Sequence, residues 1–145
     1  MTTRMRAISL VIALLLALPQ AGCSRTFVIE VNGDGRGQVT FSFQGSEEDV
    51  GRVFLNIVEF VVQEQTPDGR WVAARELQGS QRLNSIDYGA KYDGLKEVSP
   101  AKPLSRGGRY RALASELSWP SPKGHSAVAF SIQTDGSLGL SDVGE

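Results

Sequence analysis

Residues 38–44, Gln-Val-Thr-Phe-Ser-Phe-Gln, alternate strictly between polar and apolar. In an extended chain Val39, Phe41 and Phe43 fall on one side, and Thr40 and Ser42 on the other. That period of two belongs to a half-buried strand and not to a helix. Just upstream, Asn32–Gly37 (NGDGRG) is dense in residues that accept positive φ cheaply. Before it, Thr26–Val31 (TFVIEV) is β-branched and aromatic. Strand, turn and strand predict a hairpin, and a hairpin needs further strands to cover its apolar face.

The next segment, Gly45–Gln65, has two readings. As a helix, Ser46 is an N-cap, Glu47, Glu48 and Asp49 fill the first turn, and Arg52, Asn56, Glu59 and Gln63 form a polar stripe. As a strand, Val58, Phe60 and Val62 alternate with Glu59, Val61 and Gln63. The run VFLNIVEFVV favours the strand by composition. A Thr66-Pro67-Asp68-Gly69 turn follows. Residues 70–77 then alternate Trp71, Ala73 and Arg75 against Val72, Ala74 and Glu76. A hairpin of 57–65 with 70–77 accounts for both halves, with a helical turn near 46–52 compatible, and it places Trp71 in the core.

Farther on, 78–82 reads as a turn and 83–88 as a short strand with Ile86 and Tyr88 inward. Residues 89–99 are polar, with Leu95 and Val98 as anchors. Pro100 and Pro103 limit any strand there to an edge. Strands are expected over 109–117 and 127–133, joined by the loop 118–126 (SWPSPKGHS), with a frayed end over 134–145. Sixteen glycines and six prolines suit such a turn-rich all-β chain.

The N-terminus carries an address. Arg4 and Arg6 precede Ala7–Leu18, an uncharged run of 12 residues. A membrane-crossing helix needs about 20. A basic flank, an apolar run and then small residues is the layout of a secretory signal peptide. The small residues Ala21 and Gly22 lead to Cys23, the only cysteine. Leu-Pro-Gln-Ala-Gly-Cys resembles the lipobox of bacterial lipoproteins, although the position three before Cys23, usually Leu, is Gln20. The resemblance implies cleavage after residue 22, lipidation of Cys23 and, from Ser24, sorting to the outer membrane. Cleavage after Ala21 to a soluble periplasmic protein, or an uncleaved anchor, are the alternatives. A secreted disulfide protein tends to carry paired cysteines.

Removing 1–22 takes Arg4 and Arg6 and no acid. The remaining 123 residues have 13 basic against 16 acidic side chains, a formal net charge of −3. That length is one domain, residues 26–145 after a tether at 23–25. Mild acidity gives no support to nucleic-acid binding, which needs a basic stripe. The membrane contact is therefore assigned to the lipid on Cys23.

Leu104-Ser-Arg-Gly107-Gly-Arg-Tyr110, leading into a strand, resembles the tyrosine corner of fibronectin type III and related immunoglobulin-like sandwiches. The resemblance implies that Leu104, Gly107 and Tyr110 are structural and that the Tyr110 hydroxyl bonds backbone just upstream. The usual Pro before the Gly is Arg106, and Phe41 or Phe43 stands in for the early-strand tryptophan. The expected fold is an immunoglobulin/fibronectin type III-like β-sandwich of about seven strands.

Catalytic signals are weak. His125 is the only histidine and lies in a Ser/Pro/Gly loop, without a Gly-x-Ser-x-Gly elbow. One histidine and one cysteine exclude the common zinc sets. Asn32, Asp34 and Arg36 lack the carboxylate a calcium loop needs. Neither enzyme activity, a cofactor nor a metal is expected. The binding candidates are the loop residues Trp119, Pro120, Pro122, Lys123 and His125, because prolines hold one bound shape at low entropy cost and a loop tryptophan is a common interface anchor. The expected function is an outer-membrane-anchored lipoprotein, periplasm-facing, that binds an envelope protein or serves in assembly. The alternatives are a structural lipoprotein of a secretion apparatus and a small periplasmic hydrolase or hydrolase inhibitor.

Overall fold

The computed structural model describes residues 27–34, 38–45, 51–117 and 124–141. Every regular element among them is a β-strand, in two antiparallel sheets. β1 (Phe27–Gly33) and β2 (Val39–Gly45) form the expected hairpin, in unbroken register from Phe27↔Gly45 to Gly33↔Val39. The short β5 (Ser85–Asp87) joins β2 to complete a three-stranded sheet. The other sheet has six strands. These are β3 (Leu55–Gln65), β4 (Trp71–Leu83), β6 (Leu95–Ser99), β7 (Arg109–Glu116), β8 (Gly124–Ile132) and β9 (Leu138–Ser141), in spatial order β6-β4-β3-β7-β8-β9.

This is a β-sandwich with immunoglobulin-like order. β1, β2 and β5 stand where strands A, B and E stand, and β3, β7 and β8 where C, F and G stand, with β4 as C′. The expected seven strands become nine because β6 and β9 extend the large sheet at its two edges.

Alternation drives the packing. Phe27, Ile29 and Val31 of β1 and Val39, Phe41 and Phe43 of β2 are buried and face Ile57, Phe60, Val62, Ala112, Ala114 and Phe130. Phe41 meets both Phe60 (5.1 Å between centroids) and Phe130 (5.6 Å), each edge-on. Between those two rings runs β7, whose inward Ala112 and Ala114 leave room for the Phe41 side chain. Edge-on aromatic pairs of this kind contribute about 0.5–1.5 kcal/mol beyond their buried area.

Three expectations are corrected and one open reading is decided. Residues 78–82 continue β4 instead of turning. Gly79 makes this possible, since a Cβ there would lie 2.1 Å from the Gly94 carbonyl oxygen, so only glycine lets β6 approach. Val98 is 54% exposed instead of anchoring. It is the extra residue of a bulge, where Glu76 pairs with Ser99 and Leu77 with Glu97. Residues 138–141 pair with β8 instead of fraying. Residues 55–65 are a strand, which decides that part of the ambiguous segment; 46–50 lie outside the described residues.

Candidate functional site

Strand direction sorts the connections to two ends of the sandwich. The start of β1, the end of β2, the start of β3, the end of β7 and the start of β8 share one end, fixed by the pairs Phe27↔Gly45, Gln44↔Arg52 and Glu116↔Gly124. The 66–70 turn, the 105–108 turn and the 133–137 turn share the other.

At that second end the Leu104–Tyr110 segment builds a defined corner. Gly108 N–H donates to the Ser105 carbonyl (3.0 Å), closing a turn with Gly107 at the third position with φ +79°. A positive φ at that position favours glycine, as in a type II turn. Gly108 has a different reason: a Cβ there would sit 2.6 Å from the Tyr110 hydroxyl. The tyrosine therefore lies directly on bare backbone. Its ring is 1% exposed and stacks on Phe130 at 5.5 Å. Its hydroxyl accepts from Ser105 N–H (2.6 Å) and donates to Glu64 Oε1 (3.4 Å). Burial raises the Tyr110 pKa above its ordinary value, the Ser105 bond opposes that, and the Glu64 charge reinforces it. Leu104 packs partly buried against the core.

Next to this corner is an open cleft of about 530 Å³ between the 64–69 and 105–109 segments. Glu64, Ser105, Arg106 and Arg109 supply its polar groups. Arg106 also donates to the Thr134 carbonyl (3.5 Å), and Arg109 is exposed.

The loop expected over 118–126 is shorter, because β8 begins at Gly124. Trp119, Pro120, Pro122 and Lys123 lie outside the described residues, as does Cys23. His125 is not a loop residue. It sits exposed on the outer face of the large sheet, with Nδ1 3.0 Å from Ser115 Oγ. Strand register extends this pair into a row, Gln78–Glu59–Ser115–His125, across β4, β3, β7 and β8. The row borders a shallow depression of about 410 Å³. For nucleophilic catalysis the base should lie between the nucleophile and its orienting carboxylate. Here Ser115 lies between Glu59 and His125, so the acid neighbours the wrong member of the pair. Among the described residues, no cluster of three His, Cys, Asp or Glu side chains is placed to hold a metal ion.

Trp71 is corrected from the core to the outer face of the large sheet, half-buried. The Arg111 guanidinium lies 4.4 Å from the centre of its ring and is steadied by Gln63 Oε1 at 2.5 Å. The cause is a bulge: Val62 pairs with Arg75 but Gln63 pairs with Ala73, leaving Ala74 unmatched. Across that extra residue the strand changes phase. Trp71 and Ala73 face out, and Arg75 faces in.

Arg75, which alternation groups with Trp71, is thus fully buried while Trp71 is not. Its guanidinium donates to the Asp87 carbonyl (3.1 Å) and to the Ala90 carbonyl, and lies 3.4 Å from Glu97 Oε1. It sits 5.9 Å from the centre of the Tyr88 ring, and the Tyr88 hydroxyl in turn donates to the Lys102 carbonyl. Burial pushes the Tyr88 pKa up to about 12 against the opposing Arg75 charge. One side chain ties β4, the 87–90 turn and β6 together. A comparison with protein-family models, curated proteins and solved structures finds no match to this chain.

Proposed function

We propose that the protein is an outer-membrane lipoprotein whose sandwich is held close to the bilayer by Cys23 and acts as a binding or assembly component of the envelope. The observation that supports this best is where β1 begins. Phe27, fully buried at the head of β1, lies four positions after Cys23. Four extended residues reach at most about 14 Å, so a lipid on Cys23 holds the domain near the headgroups. Several acyl chains anchor stably where one alone does not.

That tether turns one end of the sandwich to the membrane and leaves the other free. The free end carries the cleft beside the tyrosine corner, with Arg106 and Arg109 on its rim, which suits an acidic segment of an envelope protein. Binding is favoured over catalysis by the order of the Glu59–Ser115–His125 row. The second candidate for the contact is the segment with Trp119, Pro120, Pro122 and Lys123, which lies outside the described residues.

Two measurements test this. Cys23→Ser should move the protein from the membrane to the soluble fraction; unchanged mass and unchanged partition would refute lipidation. In a pulldown from detergent-solubilised envelope, Arg106→Glu with Arg109→Glu should reduce partner recovery, whereas Trp119→Ala should leave it intact. The opposite pattern would assign the contact to the Trp119 segment.

A further inference from the structure

Six large apolar side chains are well exposed among the described residues, and three of them, Val28, Phe54 and Leu117, gather at the end where β1 starts. Phe54 is 58% exposed and Leu117 51%. Leu117 N–H donates to the Asn56 carbonyl (2.9 Å), which sets Leu117 beside the first residues of β3. Phe54 immediately precedes that strand, and the Arg82 guanidinium lies 5.7 Å from its ring centre. Arg52 is exposed at the same end. At the opposite end the one comparable side chain is Val72, the second residue of β4 and 41% exposed, among the described residues. The turns there, Thr66-Pro-Asp-Gly-Arg70, Ser105-Arg-Gly-Gly108 and Gln133-Thr-Asp-Gly-Ser137, carry no large apolar side chain.

We infer that the tether end, through Phe54 and Leu117, is seated in the headgroup layer of a phospholipid surface, a proposal that rests on the lipidation of Cys23. Reach argues for lipid as the occupant. The chain from Cys23 to Phe27 spans at most about 14 Å, and a headgroup layer occupies roughly 5–8 Å of that. Too little room is left for a protein between this end and the bilayer. The chemistry also fits. Aromatic and aliphatic side chains bury in the boundary layer, while Arg52 and Arg82 can extend their guanidinium groups to phosphates. The formal net charge of −3 after removal of 1–22 gives no attraction to anionic lipid, so the seating requires only apolar contact with a zwitterionic surface.

The test uses the full chain purified from membranes in detergent and placed in phosphatidylcholine vesicles. Phe54→Cys, Leu117→Cys and, at the far end, Pro67→Cys each receive a nitroxide label. Labels at 54 and 117 should lose access to a water-soluble nickel chelate and gain access to oxygen, and the label at 67 should show the reverse. Equal nickel access at all three positions, in protein whose mass carries the lipid, would overturn the seating while leaving lipidation intact. Protection of 54 and 117 from both reagents would mean contact between protein copies and would also overturn it. Wild-type chain that takes label has a free Cys23 thiol, which refutes lipidation and the seating together.

Discussion

Tyr110 and Arg75 both point inward from the large sheet, and both end in a polar group that must be satisfied. Their surroundings differ. Tyr110 lies at the rim of the sheet, its ring on Phe130 and its hydroxyl held by backbone five residues upstream. Arg75 lies within its strand, and carbonyls from a separate turn plus Glu97 of β6 hold its charge. The first arrangement is local in sequence. The second depends on pieces 12 to 22 residues away. The contrast teaches that a buried polar group can be inferred from sequence when its partner is a nearby turn, and not when its partner comes from another strand.

The largest expected effect is at Arg75. Arg75→Ala removes a buried cation and leaves two carbonyls and Glu97 without it; disrupting buried pairs of this kind costs about 3–5 kcal/mol. Denaturant unfolding should show that loss. If Arg75→Met restores nearly all of the stability, packing and not hydrogen bonding explains Arg75, and the contrast with Tyr110 fails.

Tyr110→Ala should cost a comparable 3–5 kcal/mol or so, from the lost ring contacts, while Tyr110→Phe should cost only about 1 kcal/mol. Thermal melts of the two variants separate ring from hydroxyl. A Tyr110→Ala protein that melts like wild type would mean that the corner is not a structural element.

A smaller effect is expected in alkali. The folded Tyr88 pKa is raised from 10.0 to about 12. The unfolded chain therefore loses this proton first, and stability falls as pH rises from about 10 towards 12. Below that window the contribution is fully present. Unfolding midpoints measured across it should decline, and Tyr88→Phe should flatten the decline. An unchanged slope in that variant would assign the effect to Tyr92 and Tyr110, whose pKa values are also raised by burial.

The smallest effect is expected at Trp71. A cation over a ring on the outer face of a sheet contributes about 0.5–1 kcal/mol, so Trp71→Ala should shift the unfolding midpoint less than the changes above. A loss of several kcal/mol would mean that Trp71 supports the core after all, and that the bulge at Ala74 does not change the strand's phase.

The sequence by itself determined the class of fold, the existence of the first hairpin, and the β3–β4 pair. In each, alternation and turn chemistry act over a few neighbouring residues. The corner was legible for the same reason: Gly107 and Tyr110 are three residues apart, and the backbone the hydroxyl meets is five away. Only the tertiary structure decided which residues lie inside beyond a bulge. A single unmatched residue, Ala74, puts the residues before it and after it on opposite faces from those that strict alternation links, and a bulge is specified by both strands of a pair together. On that account Trp71 faces out and parts from Arg75, with which alternation groups it, as Val98 lost its place in the core to another bulge. Edge strands were also beyond local reading, since β6 needs the bare backbone of Gly79 beside it and β9 needs β8. The gathering of Phe54 and Leu117 at one end is likewise tertiary. Those residues are far apart in the chain and meet only because β3 and β7 run antiparallel.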